Sequence, residues 1–141
     1  MAPVFTAREH IDRSVADVWA ALTDWNNAPR WMPGVENLQA HGETANGTLL
    51  TFRARGKERP ASIAAYEPGR SLVLRSVQGK VTADYTYVLQ ECPGGRTLVT
   101  LVAECRAGGL LWRAAFPLLR FAMKRVDGNQ LSNLKNYMEA R

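Results

Sequence analysis

Cysteine and histidine are scarce in this 141-residue chain, which has two of each. Cys92 and Cys105 cannot build a disulfide framework. No Cys/His spacing suits zinc, so no metal site is expected. Long apolar runs are missing too. The longest apolar-rich stretch, residues 108–123, is broken by Arg113, Pro117 and Arg120, which excludes a membrane span. The opening MAPVFTAREHID has no basic segment ahead of an apolar core, so it does not read as a signal peptide. A cytoplasmic protein without stable membrane insertion is the expectation. A phosphate-cradling Gly-rich loop and a GxSxG nucleophile elbow are absent, and no cofactor is implied. Internal repeats, low-complexity tracts and linkers are absent as well.

The apolar fraction of 46% and charged fraction of 22% are those of a chain that folds rather than stays disordered. Its length suits one domain over residues 1–141, able to bury roughly two thirds of the unfolded surface. The net charge is +5, and Arg113, Arg120, Lys124, Arg125 and Lys135 crowd the C-terminal part. The reading preferred is a solvated helix face; the alternative is a module that meets an acidic partner or a membrane surface. No nucleic-acid motif accompanies the charge, so nucleic acid is not an expected partner.

Aromatic area is concentrated near the N-terminus. A strand from about Val4 to Ile11 carries Phe5, Ala7, Glu9 and Ile11 on one face. Ser14 then caps a helix with Val15, Val18, Trp19 and Leu22 at helical spacing. Asn26, Asn27 and Pro29 end it, and a short turn carries Trp25, Trp31 and Met32 up to Pro33-Gly34. From Val35 to Arg106 the rhythm changes to alternating segments separated by turn signals, which predicts six further strands in a meander. Leu50, Phe52 and Ala54 share one face of the third strand, opposite Arg53 and Arg55. A three-residue loop at Pro93-Gly94-Gly95 pairs Leu89 with Val99, Tyr87 with Leu101 and Tyr85 with Ala103, all on one face. The other face, with Asp84, Thr86, Gln90, Thr100 and Glu104, reads as solvated. That register keeps Cys105 opposite Ala83 and Cys92 opposite Arg96, too far apart to bridge. A long helix is predicted from Gly108-Gly109 to about Met138, kinked at Pro117 and interrupted near Asp127-Gly128.

Several pieces of this order resemble one family. They are Ile11-Asp12 leading to Val18-Trp19 and Leu22-Thr23-Asp24, then Trp31-Met32-Pro33-Gly34-Val35, and Gly47 ahead of the third strand. Tyr66-Glu67-Pro68-Gly69-Arg70-Ser71-Leu72 and Gly94-Gly95-Arg96-Thr97 complete the set. Together they resemble the START-like (SRPBCC) superfamily and its polyketide cyclase/dehydrase group. The resemblance implies an α+β helix-grip fold: a curved seven-stranded antiparallel sheet around a long C-terminal helix, with two short helices after the first strand. It also implies an apolar cavity for a lipid, polyketide or quinone, and in some members cyclisation or dehydration inside it. As a family of containers, it leaves the chemistry to whichever polar groups project inward.

The expected ligand is a small hydrophobic or aromatic molecule, held by a monomer or homodimer. Leu50, Phe52, Ile63, Leu74 and Leu101 would line the cavity with Tyr66, Tyr85 and Tyr87. Trp112 and Phe116 would close it from the C-terminal helix. Trp25, Trp31 and Met32 are the candidates for its entrance, with Trp25 and Trp31 equally readable as core; Trp19 is read as core. Glu9, Tyr85 and Tyr87 are the weak catalytic candidates, in case the protein is an enzyme of the cyclase/dehydrase kind. A carboxylate on an inward face needs a partner or a raised pKa, and the alternative for Glu9 is a salt bridge or a local strand irregularity. With Arg53 and Arg55 facing outward, no arginine is read on the inward face. Arg113 is then the best polar lid contact. His10 and His41 read as surface residues.

Overall fold

The computed structural model describes residues 3–78, 80–107, 117, 121, 124 and 129–140. Strand β1 (Pro3–Ile11) leads directly into helix α1 (Val15–Leu22). Ser14 starts the helix because its Oγ accepts the Asp17 N–H at 3.2 Å, satisfying one of the helix's unpaired donors. Thr23 closes α1, its hydroxyl donating to the Trp19 carbonyl at 2.8 Å. A 3-10 segment, Trp25–Arg30, follows at the predicted Asn-Asn-Ala-Pro break. The N–H groups of Trp31 and Met32 then both return to the Ala28 carbonyl, at 3.1 and 2.8 Å.

These two short elements carry the chain from one edge of the sheet to the other. Strands β2 (Asn37–His41), β3 (Leu49–Ala54), β4 (Lys57–Glu67), β5 (Ser71–Gln78), β6 (Val81–Cys92) and β7 (Arg96–Ala107) then meander back. The sheet has seven antiparallel strands in the order β1-β7-β6-β5-β4-β3-β2, so the first strand pairs with the last. This is the predicted helix-grip arrangement. The β6–β7 register is the one expected, with Leu89 opposite Val99, Tyr87 opposite Leu101 and Tyr85 opposite Ala103. Cys92 and Cys105 are free thiols.

Helix α2 (Gln130–Glu139) packs on β1 and buries Leu131, Leu134 and Met138. Its C-terminal turn is tied to the end of β1. Lys135 donates to the His10 carbonyl and to Glu139, both at 2.7 Å, and the Asp12 N–H donates to Glu139 at 3.0 Å. Lys135 is therefore committed within the fold rather than a spare charge on a basic face. Pro117, Phe121 and Lys124 are helical and exposed. The predicted kink and interruption at Pro117 and Asp127-Gly128 otherwise lie outside the described residues, as do Trp112, Arg113 and Phe116.

Two local features depart from simple alternation. The β3–β4 hairpin turns on Arg55 and Gly56, at φ of 53° and 73°, pairing Ala54 with Lys57. Two consecutive left-handed residues match the strand twist; glycine adopts that state freely, whereas arginine is strained there. In β4, the register slips between Ile63 and Ala65. One extra residue enters at that bulge, which turns Tyr66 to the same face as Ile63.

The convex face is less wet than expected. Asp84 is only 8% exposed and pairs in register with Arg75. The guanidinium grips it with two hydrogen bonds, at 2.8 and 2.9 Å. The Arg75 side chain on the neighbouring strand engages the short carboxylate, which alternation alone does not reveal.

Candidate functional site

The concave face of the sheet is built from cross-strand rows, each fixed by the antiparallel register. One row runs Ala7, Leu101, Tyr87, Leu72, Tyr66. The next runs Phe5, Ala103, Tyr85, Leu74, Ile63, and a third runs Cys105, Ala83, Ser76, Ala61, Leu50. Leu50, Ile63, Leu72, Leu101 and Ala103 are all 1% exposed or less. Phe52 and Tyr85 are half-buried beside them. Each of the sheet residues predicted for a cavity therefore stands on this one face.

The N-terminal helices meet the first row through two aromatic pairs. Trp19 packs tilted on Tyr66 with ring centroids 5.7 Å apart, and Trp31 meets Tyr87 edge-on at 6.5 Å and 88°. Trp25, Trp31 and Met32 are buried, at 7%, 1% and 5% exposure. They are packed into the core, so any entrance they form has to open by moving them. The Trp25 indole N–H donates to Thr44 Oγ1 at 3.0 Å. The Trp31 indole N–H is buried and has no hydrogen-bond partner among the described residues.

Polar groups enter this apolar surface at separate points. The Tyr87 hydroxyl donates to Gln130 Oε1 at 2.5 Å, linking the sheet to the first turn of α2. Gln130 is not among the expected site residues. Arg59 corrects the expectation that no arginine faces inward. It stands opposite Phe52 in the β3–β4 register and is half-buried on the concave side. Pairing β4 against Phe52, by the same logic that pairs β6 with β7, places it there from sequence alone.

Glu9 shares the concave parity through its pairing with Val99, but its carboxylate accepts from Ser132 Oγ at 3.3 Å beside α2. Strand β7 stands between Glu9 and the tyrosines of β6. At about 4.8 Å per strand, that separates the two backbones by roughly 10 Å before any offset along the strands. In this arrangement the Glu9 carboxylate is engaged by Ser132 and the Tyr87 hydroxyl by Gln130. Burial raises the pKa of the Cys105 thiol and holds it in the unreactive protonated form. His10 and His41 are exposed, as expected; a His41 ring nitrogen lies 2.9 Å from Thr51 Oγ1.

A separate groove of about 340 Å³ lies outside this face, between α1 and the end of α2, lined by Arg13, Asp17, Asp24 and Met138. Among the described residues no group of three or more His, Cys, Asp or Glu is placed to hold a metal. Among them, too, no helix is long and apolar enough to cross a membrane.

Over residues 2–139 the sequence matches the family model described as polyketide cyclase / dehydrase and lipid transport. No curated protein sequence matches it. Among solved structures it is similar to TTHA0849 from Thermus thermophilus, at 16% identity and a TM-score of 0.75, covering 96% of each chain. The hypothetical protein jhp0584 from Helicobacter pylori is similar at 14% identity and 0.74, covering 94% of this chain and 85% of that one. The di-domain ARO/CYC StfQ from the steffimycin biosynthetic pathway is similar at 14% and 0.73, with 97% of this chain matching 50% of that one. At these identities the likeness is one of fold.

Proposed function

The chain belongs to the polyketide cyclase / dehydrase and lipid transport family, and on that premise we propose that it binds one small apolar or aromatic molecule over the concave face of its sheet. The observation that carries this reading is the composition of that face. Rows of Leu, Ile and Ala are interrupted by phenols at Tyr66, Tyr85 and Tyr87, with Arg59 opposite Phe52 beside them. Apolar rows supply affinity at roughly 25 cal/mol per Å² of buried area before the costs of association. A few polar groups set among them orient what is bound, as in ligand sites generally. Trp25, Trp31 and Met32 are the proposed entrance, and Trp112, Arg113 and Phe116 the proposed cover from the C-terminal side.

The cyclase/dehydrase version with Glu9 as acid/base draws less support. Its carboxylate is engaged by Ser132 and lies across β7 from the phenols of β6. Native mass spectrometry of protein purified from its host tests the binding reading. A stoichiometric adduct of a small apolar molecule, released by organic solvent, is expected. Protein that is empty and takes up no such molecule from a host lipid extract would refute it.

A further inference from the structure

We infer that the Trp31 indole N–H is a hydrogen-bond donor to the bound molecule, so that the site selects ligands with an acceptor oxygen over hydrocarbons of the same shape. This rests on the binding reading above and adds the chemistry that the site recognises.

Trp31 is held from both sides. Its backbone N–H bonds Ala28 at the end of the 3-10 segment, and its ring stands edge-on to Tyr87 on the concave face. At 1% exposure its indole N–H is shielded from solvent and meets no acceptor among the described residues. The fold does provide such an acceptor elsewhere: Trp25, six residues earlier, gives its N–H to Thr44. The adjacent Tyr87 hydroxyl is engaged as a donor to Gln130. Buried donors are nearly always paired, and phenylalanine would fill similar space without the penalty of an unpaired N–H. An acceptor arriving with the ligand, after a small outward shift of the neighbouring side chains, removes that penalty. A ketone, quinone or phenolate oxygen on a flat apolar body has the required chemistry.

The test uses two probes that differ by one heavy atom, 2-acetylnaphthalene and 2-isopropenylnaphthalene, with binding measured by calorimetry. The ketone is expected to bind wild-type protein about tenfold or more tightly than the alkene. Its binding should move the Trp31 indole proton resonance downfield. In Trp31→Phe the preference should reverse, because the ketone then loses its water without gaining a partner. Equal binding of the two probes, or a ketone preference that survives in Trp31→Phe, would overturn the assignment of Trp31 while leaving the binding reading intact. Binding of neither probe counts against both. Should Trp31→Phe fail to fold, the wild-type indole resonance decides alone, and an unmoved resonance on ketone binding overturns the inference.

Discussion

Removing the Tyr87 hydroxyl leaves its ring, and hence its edge contact with Trp31, in place. What changes is the partner: Gln130, 6% exposed, loses the phenol that donates to its Oε1 at 2.5 Å. A neutral hydrogen bond contributes about 1 kcal/mol net, and the loss of a donor to a buried amide oxygen costs about 1–3 kcal/mol. By the same principle Tyr87→Phe is expected to lose about 1.5 kcal/mol, and Gln130→Leu a similar amount for removing the acceptor of the phenol. The double variant removes both polar groups together, so its loss should fall short of the sum by at least about 0.5 kcal/mol. Urea unfolding followed by circular dichroism measures all four proteins, and the single losses correspond to roughly 5 °C in Tm. A Tyr87→Phe protein as stable as wild type, or a strictly additive double variant, would refute the claim that this pair anchors α2 to the sheet.

Arg55→Gly should stabilise the protein by about 0.5–1 kcal/mol in the same assay. Relief of a left-handed arginine outweighs the added freedom of the unfolded chain, and a loss would contradict the strained turn. Asp84→Ala should destabilise by about 1 kcal/mol, a figure discounted because the Arg75 side chain is 39% exposed; a change within about 0.3 kcal/mol would mark the pair as neutral. The Lys135 ammonium, then the Asp12 N–H, hold the Glu139 carboxyl below the ordinary carboxylate value of 4.5. A lowered folded pKa gives stability that is present above the unfolded value and lost as pH falls through the folded one. Glu139→Gln should therefore flatten the acid limb of the stability–pH curve below about pH 4.5. An unchanged limb would show that the tie between α2 and β1 carries no linkage.

Much of the fold is legible because alternation and turn chemistry agree along the chain. Pro93-Gly94-Gly95 alone is enough to set every pair between β6 and β7. What stays hidden depends on single-residue shifts or on distant partners. The bulge after Ile63 turns Tyr66 inward without any glycine to announce it. The cover that makes Asp84 a buried carboxylate comes from Arg75 on the neighbouring strand. Gln130 acquires its role only when α2 docks on the sheet, 43 positions away in sequence from Tyr87. Arg59 is a different case, since its inward face follows from the parity of Phe52 once β3 is paired with β4.

Methyl-resolved NMR during titration with 2-acetylnaphthalene tests the central claim most directly. Alternate residues of adjacent strands carry methyls on opposite faces, so the spectrum reports which face is occupied. Shifts are expected at Ile63, Leu72, Leu74 and Leu101 on the concave side, with Val73, Val88 and Val102 on the convex side unmoved. Shifts confined to the convex valines, or to Ala20 and Met138 in the outer groove, would contradict the account.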